Sequence, residues 1–355
     1  MSVSKIRLAI LDDYQGIAAP KFAHLSHAVD AETFRDHLNP SIEHERDALI
    51  KRLQPFTIIS TMRERTPFPA GIVEALPNLK LLLTTGPANA SIDKAACAKR
   101  GIVVAGAWGI GRTGVPPVAN PMDSTMEHAW ALILAIARNI ARDDAMIKSG
   151  GGWETSFATA LKGKTLGILG LGRLGADTAR VGALAFGTKV VAWSSSLTQQ
   201  AADEKAKSFG LPEGTFRVAA SKEELLREAD VLSIHYVLSD RSRGIVGAKE
   251  LALMKPTAVL VNTSRGPLVD EDALLSCLKE GKIKGAALDV FATEPLALNS
   301  EWRTTAWGKQ NGRSEVILSP HMGYVEDEAM HRWYEDTAAN VEKWLDGKPL
   351  DCVIT

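Results

Sequence analysis

The chain has 355 residues, 45% hydrophobic and 23% charged, with a net charge of −1. That length favours two domains, and the apolar share is enough for buried cores. A near-neutral balance with no block of like charge argues against nucleic acid or an anionic membrane as partner.

Residues 6–11 (IRLAIL) read as a first buried strand and not as a secretory signal, and no apolar run approaches the span of a bilayer. Cys97, Cys277 and Cys352 are scattered thiols without disulfide or zinc spacing. They fit a reducing compartment, the cytoplasm, and no metal site is expected. A helix is predicted over 43–53 and strands over 57–60, 79–83 and 102–105, with a short helix over 91–100. Strands alternating with helices imply a parallel sheet covered on both faces, whose ligands sit beyond the carboxyl ends of the strands. Thr85, Gly86 and Pro87 lie at such an end. Their backbone could bind an anion, or they could form an ordinary loop.

Residues 106–121 (GAWGIGRTGVPPVANP) crowd glycine with proline and read as a loop or linker. One long helix is then predicted from Asp123 to the Gly150–Gly152 stop, with Ser124 and Glu127 at capping-box spacing. Trp130, Ile133, Leu134, Ala137 and Ile140 give it a wide apolar face. His128 in its first turns suits a core or capping role better than metal binding, because no partner lies at ligand spacing.

Residues 165–175 (TLGILGLGRLG) are the centre of the chain: a buried strand running into G-x-G-x-x-G, followed by a helical run over 176–186 and a strand over 189–193. Gly170 permits the tight turn, Gly172 lets backbone approach a pyrophosphate, and Gly175 lets helix and strand pack closely. The helix N-terminus offers N–H groups and partial positive charge to phosphates. A dinucleotide, NAD or NADP, is therefore the expected cofactor. After the second strand, NAD-selective units place an acid for the ribose 2′-hydroxyl. Here stand Ser194, Ser195 and Ser196, with no adjacent arginine, so the choice between the two cofactors stays open.

Further strands are predicted over 230–237, 258–262, 285–290 and 316–318, and helices over 221–229, 270–279 and 331–345. Arg265, Glu294 and His321 each fall just past a strand of this second sheet. Taken singly, they could be a surface ion pair, a loop charge and a satisfied core histidine. Together, at the strand ends of one dinucleotide fold, their chemistry is complementary. Reduction of a ketone needs a proton donor, and histidine serves near neutral pH. A carboxylate beside the imidazole favours its charged form and fixes its orientation. Arginine gives a planar two-point clamp for a substrate carboxylate.

Five stretches carry a resemblance: 163–175 (GKTLGILGLGRLG), 230–239 (DVLSIHYVLS), 262–274 (NTSRGPLVDEDAL), 287–295 (ALDVFATEP) and 319–324 (SPHMGY). In these the chain resembles the D-isomer-specific 2-hydroxyacid dehydrogenase family along nearly its whole length. The resemblance implies an α/β protein of two doubly wound parallel-sheet domains, with a Rossmann dinucleotide domain (122–322) inserted into a flavodoxin-like substrate domain (1–121 and 323–355). It implies Arg265, Glu294 and His321 as catalytic residues, with Thr85, Gly86, Pro87 and Arg265 holding the substrate. Thr263, Ser264 and the carboxamide-binding Asp289 would contact the cofactor, with Gly170, Gly172, Arg173, Leu174, Gly175, Ser194, Ser195, Val237 and Gly323. The implied activity is reversible hydride transfer between NAD(P)H and a small 2-keto acid such as glyoxylate, hydroxypyruvate or a bulkier one, in a homodimer. A second reading is an NAD(H)-responsive binding module of the co-repressor type with little turnover. Glu294 disfavours a formate-type dehydrogenase. The segment 296–315 is longer than the family's and carries Trp302 and Trp307, which either line a substrate pocket or anchor a loop.

Overall fold

Among the described residues, twelve short runs, most of them apolar, become strands, and every pairing between these strands is parallel. The structure, a computed structural model, describes residues 5–109 and 123–354. The chain divides into two compact units, Met1–Ala119 with Glu326–Thr355, and Asn120–Val325. No helix of the described residues is long and apolar enough to cross a membrane.

The first unit holds β1 (Ile6–Leu11), β2 (Val29–Phe34), β3 (Ile58–Thr61), β4 (Leu81–Thr84) and β5 (Val103–Ala105), in the order β2-β1-β3-β4-β5. That is the flavodoxin-like order. Helices on both faces explain why β1, β3 and β4 read as unbroken apolar runs: Leu8, Ile10, Ile58, Ile59, Leu81 and Leu82 are fully buried. The edge strand β2, VDAETF, was not anticipated, because its outer residues are exposed and charged. The closing helix, Asp327–Leu345, belongs to this unit and starts one turn earlier than predicted, with Glu326 capping the N–H groups of Glu328 and Ala329.

The second unit holds β6 (Thr165–Leu169), β7 (Lys189–Trp193), β8 (Phe216–Val218), β9 (Val231–Ile234), β10 (Val259–Asn262), β11 (Gly285–Leu288) and β12 (Glu315–Leu318). Their order is β12-β11-β10-β9-β6-β7-β8. The first six in chain order follow the Rossmann arrangement, and β12 extends it beyond β11. The chain reverses direction across the sheet at β6, which pairs with β7 on one side and β9 on the other. Ligand crevices open at such a switch, beyond the carboxyl ends of the strands.

Two expectations change here, and one open alternative is decided. The single long helix is two, Ser124–Ala137 and Ile140–Lys148, broken at Asn139 with φ +58. Asparagine tolerates that left-handed conformation better than most residues. Asp123, not Ser124, caps the first of these helices by accepting the N–H of Thr125. Trp302 is 2% exposed, joins the core beneath β10 and β11, and packs against Phe291 and Trp307. The two tryptophans therefore anchor the 296–315 segment. The linker expected over 106–121 lies mostly outside the described residues.

Candidate active site

The glycine turn leaves β6 at the switch point. Gly170 takes φ +98, and a Cβ there would stand 2.7 Å from the carbonyl oxygen of His235, just past β9. Gly175 sits in the first turn of the helix Arg173–Phe186, where a Cβ would meet Gly170 O at 2.1 Å. At Gly172, the N-cap, nothing of the chain lies within 4 Å of a Cβ, and no side chain caps the helix. Open space facing uncapped N–H groups fits the pyrophosphate of a dinucleotide. The helix begins at Arg173, three residues earlier than read from its apolar face. Arg173 Nη1 donates to Asp123 Oδ2 at 2.7 Å, and half-buried Leu174 packs against the core.

At the carboxyl end of β7, Ser194 is half-buried and Ser195 is exposed. The N–H of Ser195 donates to the Tyr236 hydroxyl at 3.2 Å, and the two hydroxyls are 3.1 Å apart. Tyr236 also stacks on Trp193, with ring centroids 6.5 Å apart. A neutral phenol thus braces the position where an NAD-selective site carries an acid. Tyr236 was not singled out from the sequence. The strand predicted over 230–237 ends at Ile234, so Tyr236 lies past it and not within it. Val237 is 81% exposed at the same sheet edge.

Past β10, Asn262 Nδ2 donates to Arg265 O while its Oδ1 accepts the N–H of Ser264, which shapes the turn. Ser264 Oγ donates to Ile234 O at 2.8 Å, and Arg265 Nη1 donates to Ser264 O. Thr263 is 7% exposed, and its hydroxyl has no partner among the described residues. An orphaned buried hydroxyl beside the switch point suits a bound ligand's polar group. Gly266 presses on the next loop so closely that a Cβ would stand 2.0 Å from Phe291. That contact docks the Arg265 turn against the loop carrying Glu294. Glu294 Oε1 accepts the N–H of Phe291 at 2.9 Å, and Oε2 lies 2.5 Å from His321 Nδ1. His321 has φ +57, and its ring meets Tyr324 edge-on, with centroids 5.5 Å apart. Both side chains of the pair are about one-fifth exposed, sheltered yet reachable: 20% for His321 and 19% for Glu294.

Asp289 follows β11 and is 1% exposed. Its Oδ1 accepts the N–H of Met322 at 2.7 Å, and its Oδ2 that of Gly323 at 3.0 Å. His128 Nε2 lies 3.1 Å from Oδ1 and 2.9 Å from Ser319 Oγ. Burial would raise the Asp289 carboxyl, but hydrogen bonds from His128, Ser319 and the Met322 N–H outweigh it and hold it below the usual carboxylate range. Both oxygens are thus engaged by the chain's own donors. His128 neither fills a core nor caps a helix: it reaches across 161 residues of sequence to Asp289.

In the first unit, Thr85 is fully buried; its hydroxyl accepts the Arg63 N–H and its own N–H donates to Thr61 O. Pro87 has no N–H, so Gly86 is the donor this turn keeps without a partner among the described residues. The Arg63 guanidinium lies over Gly86, where a Cβ would stand 2.1 Å from Nη1, and over the Trp333 ring at 5.6 Å. Arg63 was missed from sequence, since nothing in STMRERT marks which arginine folds back on a loop 22 residues away.

An uncapped helix at a sheet's switch point, with a hydrogen-bonded imidazole–carboxylate pair on the same strand edge, is the arrangement of a dinucleotide-dependent oxidoreductase. Comparison with known proteins narrows this class. Residues 130–323 match the family described as D-isomer specific 2-hydroxyacid dehydrogenase, NAD binding domain. The glyoxylate reductase of Aeropyrum pernix is 35% identical over 285 residues, covering 78% of this chain and 76% of the relative. A solved phosphoglycerate oxidoreductase from Vibrio cholerae superposes with a TM-score of 0.78 at 33% identity, covering 96% of this chain and 99% of that one. D-lactate dehydrogenase from Aquifex aeolicus, solved with NAD and lactic acid, gives a TM-score of 0.69 at 25% identity over 96% of both chains. The chain belongs to the D-isomer specific 2-hydroxyacid dehydrogenase family. It is an NAD(P)-dependent enzyme that interconverts 2-hydroxy and 2-keto acids. These relatives are reductases and dehydrogenases, and they give the co-repressor reading no support.

Proposed function

We propose that the chain reduces a small 2-keto acid, of the size of glyoxylate or hydroxypyruvate, with His321 as proton donor. The observation that carries this reading is the 2.5 Å approach of His321 Nδ1 to Glu294 Oε2 at the carboxyl edge of the dinucleotide sheet. Hydride chemistry is what a bound nicotinamide supplies. Glu294 accepts from Nδ1 and so fixes the ring's orientation, leaving Nε2 to hand its proton to the substrate oxygen as the carbonyl becomes a hydroxyl. Arg265 supplies the planar guanidinium for the carboxylate. Gly170, Gly172 and Gly175 shape the turn that receives the pyrophosphate, and Thr263 brings an unpaired hydroxyl to the same strand edge. In the first unit, Gly86 N–H and Arg63 offer an anion-binding turn. The chain's split into Met1–Ala119 with Glu326–Thr355 and Asn120–Val325 supports a substrate unit and a dinucleotide unit.

The same reading includes a homodimer and cytoplasmic residence. Helix Ile140–Lys148 buries none of its residues, and Ile140, Ile147, Trp153 and Phe157 are exposed around it. Three free cysteines fit a reducing compartment.

The test follows nicotinamide absorbance with glyoxylate, hydroxypyruvate, pyruvate and bulkier keto acids, in wild type and His321→Ala. Turnover should drop about 10²–10⁴-fold in the variant while NADH binding persists, the usual size of a lost general acid. Full turnover in His321→Ala would remove it from the role.

A further inference from the structure

His321 sits at φ +57, a conformation that residues bearing a Cβ seldom adopt, so the surrounding structure must impose it. The constraint on its C-terminal side is visible. The next two N–H groups, of Met322 and Gly323, both donate to the buried carboxylate of Asp289. Gly323 is held tightly as well, since a Cβ there would meet Asp289 Oδ2 at 3.2 Å and Thr125 Cγ2 at 3.3 Å. The carboxylate can clamp this turn only if it is itself kept from rotating. Its other anchors are His128, on the helix Ser124–Ala137, and Ser319, just past β12. His128 belongs to neither the Arg265–Glu294–His321 set nor the glycine turn.

We propose that His128 is a positioning residue for the proton donor. Its Nε2–H, shared between Asp289 and Ser319, fixes the carboxylate that holds the Met322–Gly323 backbone, and through it the left-handed turn that aims His321 at Glu294. The inference rests on the reading of His321 as the acid. It adds a physical link from the first helix of the dinucleotide unit to the acid's geometry. Without the imidazole, Asp289 loses a donor on Oδ1 and becomes free to turn away from Met322. The backbone of residue 321 can then relax out of the left-handed region, and Nδ1 loses its alignment with Glu294.

The experiment compares His128→Ala, His128→Gln, Ser319→Ala, His321→Ala and the double variant His128→Ala/His321→Ala. Steady-state kcat and KM are read with hydroxypyruvate and NADH, and NADH affinity by fluorescence titration. A misplacement of about 1 Å costs on the order of 10²-fold in rate, so His128→Ala should lose about 10–100-fold in kcat, clearly more than it loses in NADH affinity, since Asp289 and Gly323 are themselves expected cofactor contacts. His128→Gln, which keeps a donor at the Nε2 position, should recover most of the loss. Ser319→Ala should lose less, because Asp289 keeps its imidazole partner. In the His321→Ala background, His128→Ala should cost nothing further, as expected of residues acting as one unit. Unchanged kcat in His128→Ala, failure of glutamine to rescue it, a parallel loss of NADH affinity, or an undiminished effect in the double variant would each overturn the proposal. A His321→Ala enzyme that stays active would instead overturn the acid assignment beneath it.

Discussion

Glu294 and His321 lie 27 positions apart in the chain, yet Oε2 and Nδ1 come within 2.5 Å. Neither strand end positions both groups. The contact exists because β11 and β12 pair in register, Leu288 with Leu318, so their following loops leave the sheet side by side. Glu294→Gln keeps the size and a hydrogen-bonding end but removes the charge. Turnover should fall about 10–1,000-fold, less than on removing the acid, with NADH affinity unchanged. Stopped-flow reduction and cofactor titration would check this, and a fully active Glu294→Gln would break the link between the pair and catalysis.

Two glycines of the same motif should fail in different ways. A Cβ at Gly175 strikes Gly170 O, whereas one at Gly172 meets nothing of the chain. Gly175→Ala should therefore lower the melting temperature, since the helix must shift away from its turn at a cost of about 1–3 kcal/mol. Gly172→Ala should melt like wild type yet weaken NADH binding by about tenfold or more, because the methyl group occupies the ligand's approach. Equal melting temperatures for the two variants would contradict this division of labour.

The carboxyl end of β7 carries Ser194 and Ser195, with the neutral Tyr236 bonded to Ser195. With no acid to repel a 2′-phosphate, NADH and NADPH should bind within about tenfold of each other. Ser194→Asp should shift the ratio of dissociation constants toward NADH by about tenfold or more, a like-charge penalty that salt reduces. Fluorescence titration with both cofactors reads this directly. A wild-type preference of several hundredfold would show that another group decides.

His235 lies under the glycine turn, its Nε2 2.8 Å from Ser233 Oγ. The residue keeps some surface, but the ring is packed, and burial pushes its pKa down from 6.5 to about 4. Between those values the unfolded chain takes up a proton that the folded chain refuses. Stability is therefore present in full above about pH 6.5 and is lost as pH falls toward about 4. Urea unfolding across that window should show the decline, and His235→Gln should flatten it. An unchanged slope in the variant would acquit the imidazole.

The exposed ring of Phe157, 98% accessible, and the 53% accessible Ile147 present an apolar surface with no cover in the single chain. Light scattering should report a dimer for wild type. Ile147→Lys with Phe157→Ser should shift it toward monomer, since burying a charge at such a surface is costly. A wild-type monomer at micromolar concentration would remove the homodimer from the reading.

The amino-acid order alone determined whatever depends on neighbours along the chain. Apolar runs such as IRLAIL and VLVN specified buried parallel strands, and G-x-G-x-x-G specified a turn at a helix N-terminus. The placement of Arg265, Glu294 and His321 just beyond strands followed from those same runs. The edge strands VDAETF and FRV stayed hidden because pairing, and not apolar content, makes them strands. The break at Asn139 stayed hidden because the apolar period continues through it. Only the folded chain decided that Asp123 caps its helix, that Trp302 is core, and that His128 reaches Asp289. The cap turns on which of two neighbouring polar residues keeps extended backbone, while the other two contacts join residues distant along the chain, and no local period or spacing encodes a distance that sheet register alone creates.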